Sequence, residues 1–176
     1  GRRRLVLLGV PVLPRGDAGP VLECTSCRGR FGTDVLDHPT TTRLAAMVRD
    51  AVHTVTLMVL AAGGAECRAV REAAVDGLRA AGFTECSEEQ LVALLAAVAA
   101  DSVTMDIELH EALSPLAPHL APYGRENLLL HGARVAVTDG PYTPAERRTL
   151  TAVGRTLDLC EDETARLLDA ARTTSS

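Results

Sequence analysis

The chain has 176 residues, a formal net charge of −5 and 47% apolar residues. That is one ordinary domain, or one domain with a small appendage, and so apolar a composition excludes disorder over most of the length. An acidic balance and only four aromatics (Phe31, Phe83, Tyr123, Tyr142) exclude the basic, aromatic-studded surface of sequence-independent nucleic-acid binding, so no nucleic-acid partner is expected.

All 18 basic residues are Arg. With so few aromatics the core must be built from aliphatic and small side chains. Arg2-Arg3-Arg4 followed by Leu5 to Leu13 imitates the start of a targeting segment. A membrane span needs about 20 apolar residues, and this run stops at Pro14; it reads as a strand. The run Leu57 to Ala62 is also too short on its own. No membrane span is expected, and the cytoplasm is the default compartment.

Residues 1–38 read as β structure and turns. Pro14-Arg15-Gly16-Asp17-Ala18-Gly19-Pro20 is a turn cluster, and Val21-Leu22-Glu23 leads into Cys24-Thr25-Ser26-Cys27, a hairpin ending at a Cys-x-x-Cys turn. Cys24 and Cys27 have the spacing of a zinc knuckle, the second half of a small zinc ribbon, but a tetrahedral structural site needs four ligands. If Gly1, which is not Met, is a truncation point, the first Cys pair of a ribbon could lie just before it; His38 is a candidate third ligand. A thiol-redox pair is the alternative, although such pairs usually open a helix, and Arg28-Gly29-Arg30-Phe31 does not read as one. Five cysteines, an odd number in a chain of this size, do not make a disulfide scaffold; Cys67, Cys86 and Cys160 are expected as small buried or half-buried hydrophobes.

Asp37-His38-Pro39 marks a boundary, and residues 40–176 read as all-α. Helix one runs from about Thr42 to Ala62, with Leu44, Val48, Ala51, Val55, Met58 and Ala62 on one stripe. Gly63-Gly64 stops it. Helix two covers about 66–81, with Val70, Ala74 and Leu78 inward. Ser87-Glu88-Glu89-Gln90 is a capping box that opens helix three, which runs to about Ala100. Helix four spans about 106–120, weakened by Pro115 and Pro118, and helix five about 125–137. Thr143-Pro144-Ala145-Glu146 combines an N-cap, a first-position proline and a box-closing Glu; that helix ends near Leu157. The last begins near Cys160, with Glu161, Asp162 and Glu163 where the helix dipole favours acids. Seven helices with short loops make a compact, bundle-like all-α fold.

The halves can be laid over one another. Ala62-Gly63-Gly64, Glu72 and Cys86-Ser87-Glu88 in the first answer Asp139-Gly140, Glu146 and Cys160-Glu161-Asp162 in the second, if two residues are inserted before Glu72 and one residue is adjusted later.

The segment Val137-Thr138-Asp139-Gly140-Pro141-Tyr142-Thr143-Pro144-Ala145-Glu146-Arg147, continued to Leu157-Asp158-Leu159, resembles the second half-motif of the bacterial tellurite-resistance TerB family. The resemblance implies a duplicated all-α domain over about Thr40 to Arg172. It further implies a divalent-cation site, calcium or magnesium, at two Asp-Gly…Glu loops. Carried over by residue, Asp139 and Glu146 match, and Glu72 stands for the first-half Glu. Gly63 occupies the place of the first-half Asp, a departure from the pattern. The resemblance implies stress resistance and a binding or scaffold role without catalysis.

The residues themselves allow two readings of that loop. Asp139 and Glu146 could share a hard cation through oxygen ligands; Glu146 is equally explained as a box residue and Asp139 as a turn residue. Elsewhere, Asp106 and His110, one turn apart, belong to an acidic helix face, and His53 and His131 read as structural histidines on apolar helices. No nucleophile–base–orienter set is present. The expected function is a non-catalytic binding module whose partners are other proteins or a second copy of itself, the alternative being a zinc or thiol-redox protein acting through Cys24 and Cys27.

Overall fold

In the computed structural model, residues 4–7, 10–14, 21–33, 36, 38–99 and 102–174 are described. The chain divides into two compact units, Gly1–Thr40 and Thr41–Ser176.

The first unit holds two antiparallel hairpins. β1 (Arg4–Leu7) pairs with β2 (Val10–Pro14), and β3 (Val21–Glu23) pairs with β4 (Arg30–Gly32). The apolar run from Leu5 to Leu13 is therefore two paired strands rather than one. Periodicity cannot find such a break, because the residues on both sides of it are equally apolar.

Seven α-helices make up the second unit among the described residues: α1 (Thr41–Gly63), α2 (Arg68–Ala80), α3 (Glu88–Ala99), α4 (Ser102–Leu113), α5 (Pro122–Ala136), α6 (Pro144–Thr156) and α7 (Glu161–Thr174). The all-α expectation holds. α4 ends at Leu113, earlier than its apolar pattern suggests. Pro115 and Pro118 lack an N–H and disfavour helical backbone before them; only one turn of 3-10 helix, Ala117–His119, follows. Pro122 in turn opens α5 at its first position, three residues before the expected Arg125.

α1 lies at the centre and packs against α2, α3, α4, α5 and α6. Its expected single stripe is too narrow. From Val55 to Leu60 every residue is buried, as befits a helix apolar all round. With 23 residues α1 is long and apolar enough to cross a membrane by length and composition, unlike the six-residue run considered alone. Those apolar side chains face α3, α4, α5 and α6 within the core.

The duplication is visible in the packing. α1 touches α2 as α5 touches α6; α2 touches α3 as α6 touches α7; α1 touches α3 as α5 touches α7; and α1 meets α6 as α5 meets α2. Equivalent features recur 76 residues apart. Gly64 and Gly140, both with positive φ (94° and 145°), lie in the connections that follow the first helix of each half. Arg68 and Pro144 open the second helices. At their ends the same bond recurs, Phe83 N–H to Leu78 O and Leu159 N–H to Gly154 O, both 3.0 Å, around the left-handed residues Gly82 and Asp158. No two-residue insertion is needed.

α1 and α5 cross where Gly132 faces Val55. A Cβ on Gly132 would sit 2.7 Å from Val55 Cγ1 and 3.2 Å from Leu150 Cδ2, so glycine is what admits the close approach.

Candidate functional site

The acidic loop joins α5 to α6. Thr143 caps α6: its Oγ1 accepts from Glu146 N–H at 3.2 Å, and Glu146 Oε2 accepts from Thr143 N–H at 2.7 Å. The capping box read from the sequence is complete. Tyr142 pins the loop to α7 by donating its hydroxyl to Leu168 O at 3.0 Å, and burial pushes its phenol up to about 12. Asp139 is exposed, in a cleft with Thr138, Gly140, Pro141, Asp169 and Arg172.

Glu146 is only 5% exposed. It lies against Gly63, the last residue of α1. A Cβ on Gly63 would overlap Oε1 and sit 2.6 Å from Cδ. The residue at the place of an expected Asp is thus the one that makes room for the buried carboxylate. This contact joins the two halves, and no local sequence signal announces it.

Glu72 lies elsewhere. It is exposed on α2, accepts from Arg68 Nε at 2.8 Å and lines a different cleft, with Asp76, Arg79, Glu88 and Glu89. In the 76-residue register its counterpart is Arg148, and the residue equivalent to Glu146 is Val70, buried in the core. Gly63 and Val70 thus replace both acids in the first half. Among the described residues no three His, Cys, Asp or Glu side chains gather where they could hold a metal. The donor set a hard divalent cation needs is not assembled from Glu72, Asp139 and Glu146.

His131 is fixed inside the second unit. Thr56, fully buried, donates its hydroxyl to Val52 O at 2.8 Å and lies 2.8 Å from His131 Nε2. With the hydroxyl proton so committed, Nε2 is the donor to Oγ1, which specifies the neutral tautomer. Burial, with help from Arg134, holds this imidazole below its ordinary value. On its other side Gly77 lies so close that a Cβ there would meet Cε1 at 2.5 Å. Half-buried His53 stacks at 5.3 Å on Phe83 and is likewise lowered by desolvation, against a weaker opposing pull from Asp50. Both histidines are structural. His110 is exposed on α4, while the Asp106 side chain lies outside the described residues.

Cys24 and Cys27 sit in the turn between β3 and β4, so the element that directly follows them is a strand. Cys24 N–H donates to Gly29 O at 2.9 Å and Arg28 N–H to Cys24 O at 2.8 Å. Hydrogen bonding from the backbone of Cys27 and Ser26, with the Cys27 thiol, holds the Cys24 thiol below its ordinary value. Of the isolated cysteines, Cys67 and Cys86 are half-buried. Cys160 is exposed rather than buried: it is the cap of α7, and its sulfur accepts from Glu163 N–H at 3.4 Å.

α3 carries exposed apolar residues on both flanks of its buried stripe. Leu91 and Leu95 are buried, yet Val92 and Leu94 are 46% and 42% exposed. Leu94 borders a cavity of about 680 Å³ lined also by His53, Phe83, Glu85, Cys86 and Ala93.

A duplicated all-α unit with a capped acidic loop defines the class. A family model described as Tellurite resistance protein TerB matches residues 49–169, and the chain belongs to that family. Comparison with curated proteins and with solved structures returned no match.

Proposed function

We propose that the helical unit is a non-catalytic binding module of tellurite or stress resistance that works by contact with another protein. Membership of the TerB family supports the association with tellurite resistance. The contact reading is carried by one observation: Leu94 is 42% exposed on α3 and borders an apolar cavity with Phe83, Cys86 and Ala93. Exposed apolar patches of this kind mark interaction surfaces.

The occupant we infer is an amphipathic protein segment with a basic flank. Its apolar side covers Leu94, and its positive charges face Glu85, exposed at the edge of the same cavity. The ionisable groups that a catalytic reading would enlist have structural work instead. Glu146 closes a cap, His131 bonds Thr56, Tyr142 holds α7 and Glu72 pairs with Arg68.

The test is tellurite tolerance in a sensitive bacterial host that expresses the full chain. Higher tolerance than with an empty vector is expected. Equal tolerance, with the protein present and folded, contradicts the proposal.

A further inference from the structure

The two halves of the helical unit differ where α2 passes α5. There the first half leaves a cavity of about 350 Å³, lined by Val48 and Val52 of α1, Gly77 and Ala81 of α2 and its C-cap, and Leu128 and His131 of α5. We propose that this cavity binds a small neutral molecule with an apolar body and one hydrogen-bond donor.

Three observations carry this. First, in the 76-residue register Gly77, Ala81 and His131 correspond to Val153, Leu157 and Val55, and all three of those are fully buried. The second half thus seals with branched side chains the place that the first half leaves open, where Gly77 and Ala81 are only half-buried. Well-packed interiors keep few voids larger than a water molecule, and the other half of this fold shows how this one would be closed. Second, the lining suits an apolar body. Val48, Val52 and Leu128 supply aliphatic walls, and among the described residues no charged side chain lines the cavity. Its volume lies at the small end of ligand sites, which run from about 300 to 1,000 Å³. Third, one polar atom is spare. Thr56 gives its hydroxyl proton to Val52 O, so His131 Nε2 donates to Thr56 Oγ1 and Nδ1 carries no proton.

Among the described residues Nδ1 has no hydrogen-bond partner. A Cβ on Gly77 would lie 3.3 Å from it, so this acceptor faces the α2 side of the cavity. Burial holds the ring below its ordinary value and keeps it neutral at pH 7. A ligand with a hydroxyl satisfies Nδ1. A purely apolar occupant strips water from Nδ1 and leaves it unpaired, which is costly. The cavity shares no lining residue with the one beside α3.

The experiment titrates the full chain with phenol and, separately, with benzene, read by calorimetry and by the NMR shifts of the lining residues. Wild type should bind phenol saturably, with shifts centred on Val52, Ala81, Leu128 and His131. Benzene, although the more apolar, should bind at least about fivefold more weakly, because it leaves Nδ1 unpaired. Ala81→Leu installs the side chain that the second half carries, and should abolish phenol binding with helical circular dichroism unchanged. Ala81→Val fills less of the space and should weaken binding; it decides the matter if the leucine disturbs the fold. No saturable phenol binding by wild type, benzene binding as tight as phenol, or undiminished phenol binding in a folded filled variant overturns the proposal. None of these results bears on tellurite tolerance through α3, which stands or falls separately.

Discussion

Gly63 at the end of α1 lies directly against the carboxylate of Glu146 at the start of α6, and the contact leaves no room for a side chain on the glycine. One half of the duplicated fold thereby accommodates a buried acid of the other.

Gly63→Ala tests this contact. Helix propensity favours Ala by up to about 1 kcal/mol, but the overlap with Glu146 forces a shift that typically costs about 1–3 kcal/mol. Chemical denaturation of Gly63→Ala, Glu146→Ala and the double variant should show the double less destabilised than the sum, with coupling of about 1 kcal/mol. Simple additivity would show that the two residues do not constrain each other.

Thr143→Ala removes the hydroxyl that accepts Glu146 N–H. The loss of such a cap costs about 1 kcal/mol, and Thr143→Ser should restore most of it. A drop as large in Thr143→Ser as in Thr143→Ala would mean that the hydroxyl does not cap α6.

His131 makes stability depend on pH. Its folded value is depressed from 6.5 by burial, so the unfolded chain takes up a proton first as the pH falls. The stabilising contribution of the neutral ring is fully present above about 6.5 and is lost as the pH falls through the folded value. His53 adds to the same trend. Denaturation midpoints should fall between pH 7 and 5, and His131→Gln should flatten the slope. An equal slope in the variant would assign the effect to other groups.

Among the described residues Asp139 belongs to no group of three or more His, Cys, Asp or Glu side chains that could hold a metal ion. Calorimetric titration of the full chain with calcium and magnesium should give no saturable heat. Saturable heat that Asp139→Ala abolishes would show that the loop gathers ligands in a way this arrangement does not.

Much of the helical unit was legible because its signals are local. The Ser87 and Thr143 boxes form as written, the former with Ser87 N–H to Gln90 Oε1 at 3.2 Å and Gln90 N–H to Ser87 Oγ at 3.3 Å. The Asp139-Gly140 to Glu146 segment carried the family resemblance, and the family match over residues 49–169 agrees with it. What escaped depends on distant contacts. The Thr56–His131 bond spans 75 residues, and Gly63 reads locally as a helix stop although its neighbour is Glu146. Residue identity alone points to Glu72 as the first-half acid, whereas equivalence in the fold is set by burial, which selects Val70. The split of Leu5 to Leu13 into β1 and β2 was hidden by uniform apolarity.

The most direct measurement of the functional account is tellurite tolerance in the sensitive host carrying Leu94→Glu. Leu94 is 42% exposed, so the change costs about 1 kcal/mol of lost burial and leaves the chain folded, which helical circular dichroism checks. The account predicts that this folded variant loses the tolerance conferred by the wild-type chain, and that Leu94→Met retains it. Full tolerance with a charge at position 94 would contradict the claim that this face is where the protein acts.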